Sequence, residues 1–225
     1  MLADVHVTQL IAIITAIGAL GTAAFGLVDA TKAFGGGVSN VGLRGLWTVV
    51  GRFAAALESA LGTAEDGEPE WRRVVRAHWI NGRPRDEQKA IVKSLIRLGL
   101  SPATAHAVAT AGRVSADGLA AVAVKLEQGM PLTPVDLNLL GRLDAAVEAQ
   151  LDAAFDRADQ LYRNVARLCA GLFAIALALV AAPLVGQTDW RTPLVVGLLA
   201  VPLAPIAKDL ASSLQAAAAA LRAAK

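Results

Sequence analysis

Residues that support catalysis, disulfides or metal binding are scarce in this sequence. It has one cysteine, Cys169, and three histidines, His6, His78 and His106. A single thiol excludes an internal disulfide and a thiolate metal cluster. The histidines stand in no metal-ligand spacing, and no phosphate-binding loop, dinucleotide fingerprint or nucleophile elbow is present. We therefore expect no enzyme, no catalytic, metal or cofactor-binding residue and no cofactor, although an enzyme with a dispersed site stays open.

Charged residues are missing from three long stretches, Leu10 to Val28, Leu168 to Val185 and Pro193 to Ala207. The chain is 55% hydrophobic with a mean hydropathy of +0.51, too apolar for an ordinary soluble domain. The first two stretches have about 19 and 18 residues, enough to cross a bilayer, and the third has only about 15. These runs predict an all-α integral membrane protein. Aromatic residues make up only 4%, and abundant Ala and Gly favour close helix packing.

Two of the predicted crossings have alternatives. The first run could be a secretory signal, but no Lys or Arg precedes it and it is too long, so an uncleaved helix is favoured. The third run contains Pro202 and Pro205, which invite a kink, and a re-entrant hairpin competes with a full crossing. Basic residues flank the spans on one side, which puts the N-terminus outside a bacterial inner membrane and the middle region and C-terminus in the cytoplasm. These residues are Lys32, Arg44, Arg163, Arg167, Lys208, Arg222 and Lys225.

Four segments follow from these patterns. Residues 1–34 form an N-terminal transmembrane helix, and residues 35–133 a cytoplasmic or interfacial helical domain that begins at the break Gly35–Gly37. Residues 134–186 form a long helix that continues into the second transmembrane helix, because no Gly or Pro interrupts 142–167. Residues 187–225 hold the third transmembrane helix and an alanine-rich cytoplasmic tail. The expected fold is thus one N-terminal span, a helical domain and a C-terminal transmembrane hairpin.

Tryptophan and arginine alternate in two amphipathic parts of the middle region. Arginine beside tryptophan suits an anionic lipid surface, whereas a partly solvated domain helix explains the same pattern equally well. The candidate membrane-surface residues are Trp47, Trp71, Arg72, Arg73, Arg76 and Trp79.

Three short helices are expected between Arg85 and Gly129. Asp86 to Leu98 is the first, Ser101 caps a second that stops at Gly112, and Ser115 caps a third that stops at Gly129. The run EQKAIVKSLIRLGLSPATAHAVATAG resembles ubiquitin-associated-type and similar small three-helix folds. The resemblance implies a small helical bundle that could bind a helix, and no site residue.

Like charges recur at every fourth residue on two helices. The basic row is Arg85, Lys89, Lys93 and Arg97, and the acidic row is Asp144, Glu148, Asp152 and Asp156. Like charges at this spacing repel each other, so complementary rows beside apolar faces suggest that they meet, within one chain or between neighbours. Two unrelated solvated faces remain the alternative. Divalent cations are disfavoured because the carboxylates do not converge on one point.

Small residues at four-residue steps, Gly18, Thr22 and Gly26, give the first span a face for close packing against another helix. With the charge rows, this face favours a non-enzymatic, self-associating scaffold subunit of the bacterial inner membrane. Its expected partners are membrane lipids, further copies of itself and a second membrane or cytoplasmic protein, but no nucleic acid, because the net charge is only +2. The alternative is an oligomeric pore lined by the polar residues Thr8, Gln9, Thr15 and Thr22.

Overall fold

Every element of the computed structural model is helical within residues 2–223, the part of the chain that the structure describes. Side chains are described for residues 9–223 except 208, 211, 215, 218, 219 and 221–223. Lys208, Arg222, Lys225 and Thr8, used above for orientation and for the pore, lie outside these described side chains. The helices are α1 (Leu2–Ala30), α2 (Asn40–Val50), α3 (Ala54–Leu61), α4 (Glu70–Ile80), α5 (Arg85–Leu98), α6 (Ala105–Gly112), α7 (Ala116–Glu127), α8 (Pro134–Leu184) and α9 (Arg191–Ala223).

The chain divides into two compact units. Unit 1 comprises residues 1–38 and 163–225, and unit 2 comprises residues 39–162. The first part of α8 therefore belongs to unit 2, with the short helices α2 to α7. By contrast, the segment boundaries expected from the sequence separate α8 from those helices.

Most helix ends follow the local signals in the sequence. The first helix ends before Gly35, Gly36 and Gly37, which all have positive φ angles that glycine adopts without strain. Ser115 caps α7, where its hydroxyl accepts a hydrogen bond from the amide of Gly118. The predicted cap at Ser101 is wrong, because residues 101–104 form a turn and α6 begins at Ala105.

The two longest helices continue past the points where the sequence left doubt. Helix α8 is unbroken from Pro134 to Leu184, as predicted from the lack of Gly and Pro between residues 142 and 167. Helix α9 runs from Arg191 to Ala223 through both Pro202 and Pro205, so neither proline ends it. A proline removes one backbone hydrogen bond and bends a helix, while the alanine-rich sequence that follows strongly favours helix.

Small residues fill the interior of unit 1, and large aliphatic residues cover its surface. On α8 the buried positions recur at every fourth residue and are all alanine: Ala166, Ala170, Ala174, Ala178 and Ala182. On the same helix Leu168 and Leu172 are about 70% exposed, and Leu184 is more so. The helices of this unit thus pack through their backbones and methyl groups, with their leucines pointing away from one another.

Helix α1 packs against α9 through a glycine face that differs from the predicted one. Gly18 and Gly21 are buried, and a methyl group at Gly21 would collide with the carbonyl oxygen of Ala200. Gly26 is exposed, with no atom within 4 Å of a Cβ built there, and Thr22 is also exposed. The face that packs on α9 therefore follows Gly18, Gly21 and the buried Ala24, whereas Thr22 and Gly26 of the expected face are exposed within one chain.

Unit 2 has the opposite distribution, with large side chains inside. Burying such side chains contributes roughly 1.5–3 kcal/mol each before the entropy of ordering is subtracted. The first part of α8 contributes one stripe to this core through Leu143, Val147, Leu151 and Phe155. The remaining large buried residues come from the short helices and include Leu43, Leu46, Phe53, Leu57, Trp71, Val92, Ile96, Val108 and Leu119.

In the part of the chain that the structure describes, two helical segments are long and apolar enough to cross a membrane, Gln9–Ala33 and Pro134–Leu184. Only 22% of each apolar window is buried, whereas the core helix of a soluble protein is mostly buried. The apolar part of α9, Arg191–Ala207, is shorter than these two.

We predict that Gly21→Ala destabilises unit 1 and that Gly26→Ala does not. The added methyl group at residue 21 meets backbone atoms of α9, and such overpacking typically costs about 1–3 kcal/mol. The methyl group at residue 26 meets open space, and alanine favours helix by about 1 kcal/mol over glycine. Thermal unfolding of the detergent-solubilised chain measures both. Equal unfolding temperatures for the two variants would contradict this packing.

Candidate functional site

Helices α5 and α8 lie antiparallel in unit 2, and the two charge rows face each other across them. In the middle, Lys89 Nζ lies 2.8 Å from Asp152 Oδ1 and 3.0 Å from Glu148 Oε1. Lys93 Nζ lies 2.6 Å from Glu148 Oε2 and 3.1 Å from Asp144 Oδ2. Each lysine therefore bridges two acids that are one helical turn apart, and Glu148 bridges both lysines.

The two ends of the rows are closed by arginine. Arg85 Nη1 lies 2.7 Å from Asp156 Oδ1, and its Nη2 lies 2.5 Å from Asp159 Oδ2, an acid outside the predicted row. At the other end, Arg97 Nη2 lies 2.7 Å from Asp144 Oδ1. We call the eight predicted residues and Asp159 the charge ladder. The structure pairs the rows within one chain, which is one of the two arrangements expected from the sequence.

Ion pairs in the middle of the ladder favour the ionised forms of Lys89, Lys93 and Glu148. The hydrogen bond to Asp152 and those to its other acids raise the pKa of Lys89 well above its usual range. The hydrogen bond to Glu148 raises the pKa of Lys93, and the hydrogen bonds from Lys93 and Lys89 lower the pKa of Glu148. The lysine side chains are the better shielded partners, since that of Lys89 is only 12% exposed. A continuous network of this kind stabilises helix pairing more than isolated surface pairs do.

An apolar groove of about 460 Å³ lies at the Arg97 end of the charge ladder, between α5, α7 and α8. Its size is within the range of protein ligand pockets. Lys93, Arg97 and Asp144 supply charges of both signs, and the other lining residues are apolar or glycine. These are Ile96, Leu100, Leu126, Leu140, Gly141, Leu143 and Val147.

One lining residue of this groove is a glycine in the middle of a helix. Glycine at such a position costs about 1 kcal/mol relative to alanine. A Cβ built at Gly141 meets no atom within 4 Å, so packing within the described chain does not require a glycine here. Leu98, Leu126 and Leu137, all exposed, lie on the helices that form the groove. Apolar side chains thus lie on the helices around the groove, and Gly141 leaves a point on α8 where the backbone of another helix can approach closely.

The candidate membrane-surface residues belong to the interior and the ion pairs of unit 2. Trp71 is 2% exposed, and Trp47 and Trp79 are half-buried against the core. Trp79 Nε1 donates a hydrogen bond to the carbonyl of Ser39 at 2.8 Å. The buried indole rings therefore cannot form the expected lipid-contacting surface, because α4 turns its apolar side toward the core.

The arginines of that set are engaged on the outside of α4. The guanidinium of Arg72 lies over the rings of Trp47 and Trp71, at 5.8 and 5.4 Å from their centroids. Arg73 Nη2 pairs with Asp66 Oδ2 at 2.5 Å, and Arg76 also has a partner.

Polar groups of α1 bond mainly to their own helix. The hydroxyl of Thr15 donates to the carbonyl of Ile11, and that of Thr22 donates to the carbonyl of Gly18. Such intrahelical bonds satisfy hydroxyl groups in apolar surroundings. Thr15 and Thr22, two of the expected pore-lining residues, therefore have hydrogen-bond partners within α1.

Within the described residues, no group of three or more His, Cys, Asp or Glu side chains is arranged to hold a metal ion. The acids of the ladder are spread along α8 and bond to lysine and arginine instead. Carboxylates paired in this way would have to release their cations before binding a metal.

The groove was not predicted from the sequence, although one signal pointed to it. Gly141 stands on α8 between Leu140 and Leu143, beside the apolar stripe of that helix. The pocket itself depends on how α5 and α7 are spaced above α8, which periodicity does not determine.

No protein family, characterised protein or solved structure matches this chain. The ubiquitin-associated-type resemblance gains no support from them. Its three helices are present as α5 to α7, but α5 packs on α3 and pairs with α8 instead of forming a separate bundle.

We predict that reversing the basic row alone (Arg85, Lys89, Lys93 and Arg97 all to Glu) destabilises unit 2. Exposed ion pairs contribute about 0.2–1 kcal/mol each, so loss of the ladder and the new repulsion should lower the free energy of unfolding by about 2–4 kcal/mol. Denaturation of the solubilised chain, followed by circular dichroism, measures the change.

Reversal of both rows is the matched control, because it restores the charge composition and the complementarity. Changing Asp144, Glu148, Asp152 and Asp156 to Lys in the same chain should recover most of the lost stability. If the double reversal stays as unstable as the single one, the rows do not stabilise the fold by pairing.

Proposed function

We propose that unit 1 anchors this chain in a bacterial inner membrane. The observation that supports the anchor is the packing of unit 1, with alanine and glycine inside and leucine outside. Water would drive leucine inward, whereas lipid is as apolar as leucine and leaves helix packing to small residues. The distribution of Lys and Arg next to the spans supports an external N-terminus and a cytoplasmic unit 2.

The outer leucines of α8 test the anchor. In Leu172→Asp with Leu179→Asp, each acid in a bilayer would cost about 3 kcal/mol, yet both positions are exposed and tolerate a charge in water. We expect the variant to lose flotation with membrane vesicles on a density gradient, while the unaltered chain floats. Leu98→Asp, at an exposed leucine of unit 2, is the control and should float. Flotation of the double variant, or its absence in the unaltered chain, contradicts the anchor.

Unit 2 is proposed to be a non-enzymatic scaffold through which two copies of the chain associate. The charge ladder closes within one chain and so supplies no surface for a neighbour. Gly18 and Gly21 are likewise covered by α9. The groove beside Gly141 remains the best-supported surface for self-association among the described residues.

The occupant we propose for the groove is the same face of a second copy, related by a two-fold axis. A two-fold interface must be self-complementary, and an apolar groove meets this condition because two copies of an apolar face need no opposite charges to pack together. Gly141 permits the α8 helices of the two copies to cross closely, as glycine does at helix contacts. Leu98, Leu126 and Leu137 would then be covered instead of facing water.

Two helix glycines of unit 2 provide the test. We predict that Gly141→Leu fills the crossing point and converts a dimer to a monomer, whereas Gly45→Leu does not. Both glycines are exposed, and neither has an atom within 4 Å of a built Cβ, so neither substitution disturbs the chain's own packing. The particle mass in detergent, from light scattering after size exclusion, gives the result.

Two outcomes would overturn self-association through the groove. One is a monomeric unaltered chain, and the other is a Gly141→Leu variant as dimeric as Gly45→Leu. A monomer that still floats with membranes would leave the anchor intact and remove only the scaffold role.

A further inference from the structure

A second cleft of unit 2, of about 370 Å³, is lined by three arginines. Arg52 follows α2, Arg113 follows α6, and Arg142 lies on α8. The other lining residues carry no charge: Gly112, Val114, Ala146 and Gln150. The lining thus has a formal charge of +3.

Carboxylates do not neutralise this charge within the described part of the chain, since none lies within ion-pair distance of the three arginines. Many other cations of unit 2 do have carboxylate partners, as in the charge ladder and between Lys125 Nζ and Asp136 Oδ2 at 2.6 Å. Nearby acids are abundant on α8, but they face α5. The fold therefore separates one set of cations that holds helices together from another that gathers at a cleft.

Side-chain hydrogen bonds hold one of these arginines in place. Arg52 Nη1 donates to Gln150 Oε1 at 3.1 Å, and Gln150 Nε2 donates to the carbonyl of Ala111 at 2.8 Å. Gln150 is thereby fixed against the end of α6 and orients the guanidinium of Arg52. Guanidinium groups held in this way bind an anion with less loss of conformational freedom.

Arg113 occupies a backbone conformation that favours glycine. Its φ of 55° and ψ of 44° place it in the left-handed region, and it is the one non-glycine residue with positive φ between residues 2 and 223. The position after a helix C-terminus is commonly glycine for this reason. A cation there is favourable to the helix dipole. That effect explains one arginine beside α6, but it does not explain why Arg52 and Arg142 converge on the same cleft.

We infer that this cleft binds a phosphate monoester. Arginine donates several N–H groups in a planar fork that matches phosphate oxygens, and three arginines balance its charge of about −2. The group could belong to a lipid headgroup or to a soluble phosphorylated molecule, and the chemistry of recognition is the same. This inference rests on the geometry of unit 2 alone and stands independently of the proposed dimer.

Isothermal titration calorimetry of the full chain in non-ionic detergent tests the inference with two probes. Glycerol 3-phosphate presents the soluble phosphate monoester, and dioctanoyl phosphatidic acid presents the same group on a lipid. We expect saturable binding of at least one, weakened by added salt. Tighter binding of phosphatidic acid assigns the ligand to lipid, and equal binding assigns it to a soluble phosphate. Binding of neither probe overturns the inference.

Variants separate recognition from folding. Arg142→Gln and Arg113→Gly should each weaken binding about tenfold, which corresponds to about 1.4 kcal/mol. Arg113→Gly relieves the strained backbone, so it should unfold at the same or a higher temperature while binding less. Arg157→Gln removes an exposed arginine of α8 outside the cleft and should bind normally. Unchanged affinity in both cleft variants would contradict the site.

Discussion

Helix α8 carries an apolar stripe along its length, and a helix cannot bury such a stripe by itself. In each unit, other helices pack on this stripe and cover it. In unit 2 the stripe consists of Leu143, Val147, Leu151 and Phe155, and short helices bring large side chains to it. In unit 1 it consists of alanine at every fourth position, and the neighbouring helix approaches so closely that a Cβ at Gly197 would strike the backbone of α8. Water favours the burial of large side chains, and lipid would favour the close packing of small ones.

The charge ladder fixes the relative direction and register of α5 and α8, which apolar burial alone does not. Apolar contacts tolerate sliding of one helix along another, but a shift of α5 by one residue along α8 would move every lysine away from its two carboxylates. Glu148 makes this register specific because it bonds to both Lys89 and Lys93. In this role the charges of the ladder are also paired within one chain. Charges that fix the packing of one chain are not available to attract another, so any self-association needs a different surface.

The helical spacing of apolar and charged residues, with Gly, Pro and capping residues at helix ends, was sufficient to predict the helices, the uninterrupted α8 and the proximity of the two charge rows. All of these depend on residues that are close in sequence. These patterns were not sufficient for features that depend on how the helices pack in three dimensions. Trp71 and Arg72 are neighbours in one helix rich in arginine and tryptophan, so the sequence pattern does not distinguish their surroundings. In the structure the indole of Trp71 is buried, whereas the guanidinium of Arg72 lies on the outside of the core. Gly21, and not Thr22, packs on α9. The four-residue repeat does not predict this, because the contacting face depends on the rotation of α1 about its own axis. The cleft of three arginines joins positions 52, 113 and 142, and no local pattern relates them.

The lining of one cleft by three arginines gives the strongest argument that unit 2 does more than fold. A cation that only solvates a surface can stand anywhere, and one that stabilises the fold finds a carboxylate, as Lys89 does. Arg113 has no carboxylate partner among the described side chains and stands in a left-handed conformation that glycine would adopt without strain, beside two further arginines around one cleft. Stability alone would favour glycine at residue 113 and a carboxylate near Arg142. The presence of three positive charges at this cleft is therefore better explained by an anion that they bind than by the fold that they surround.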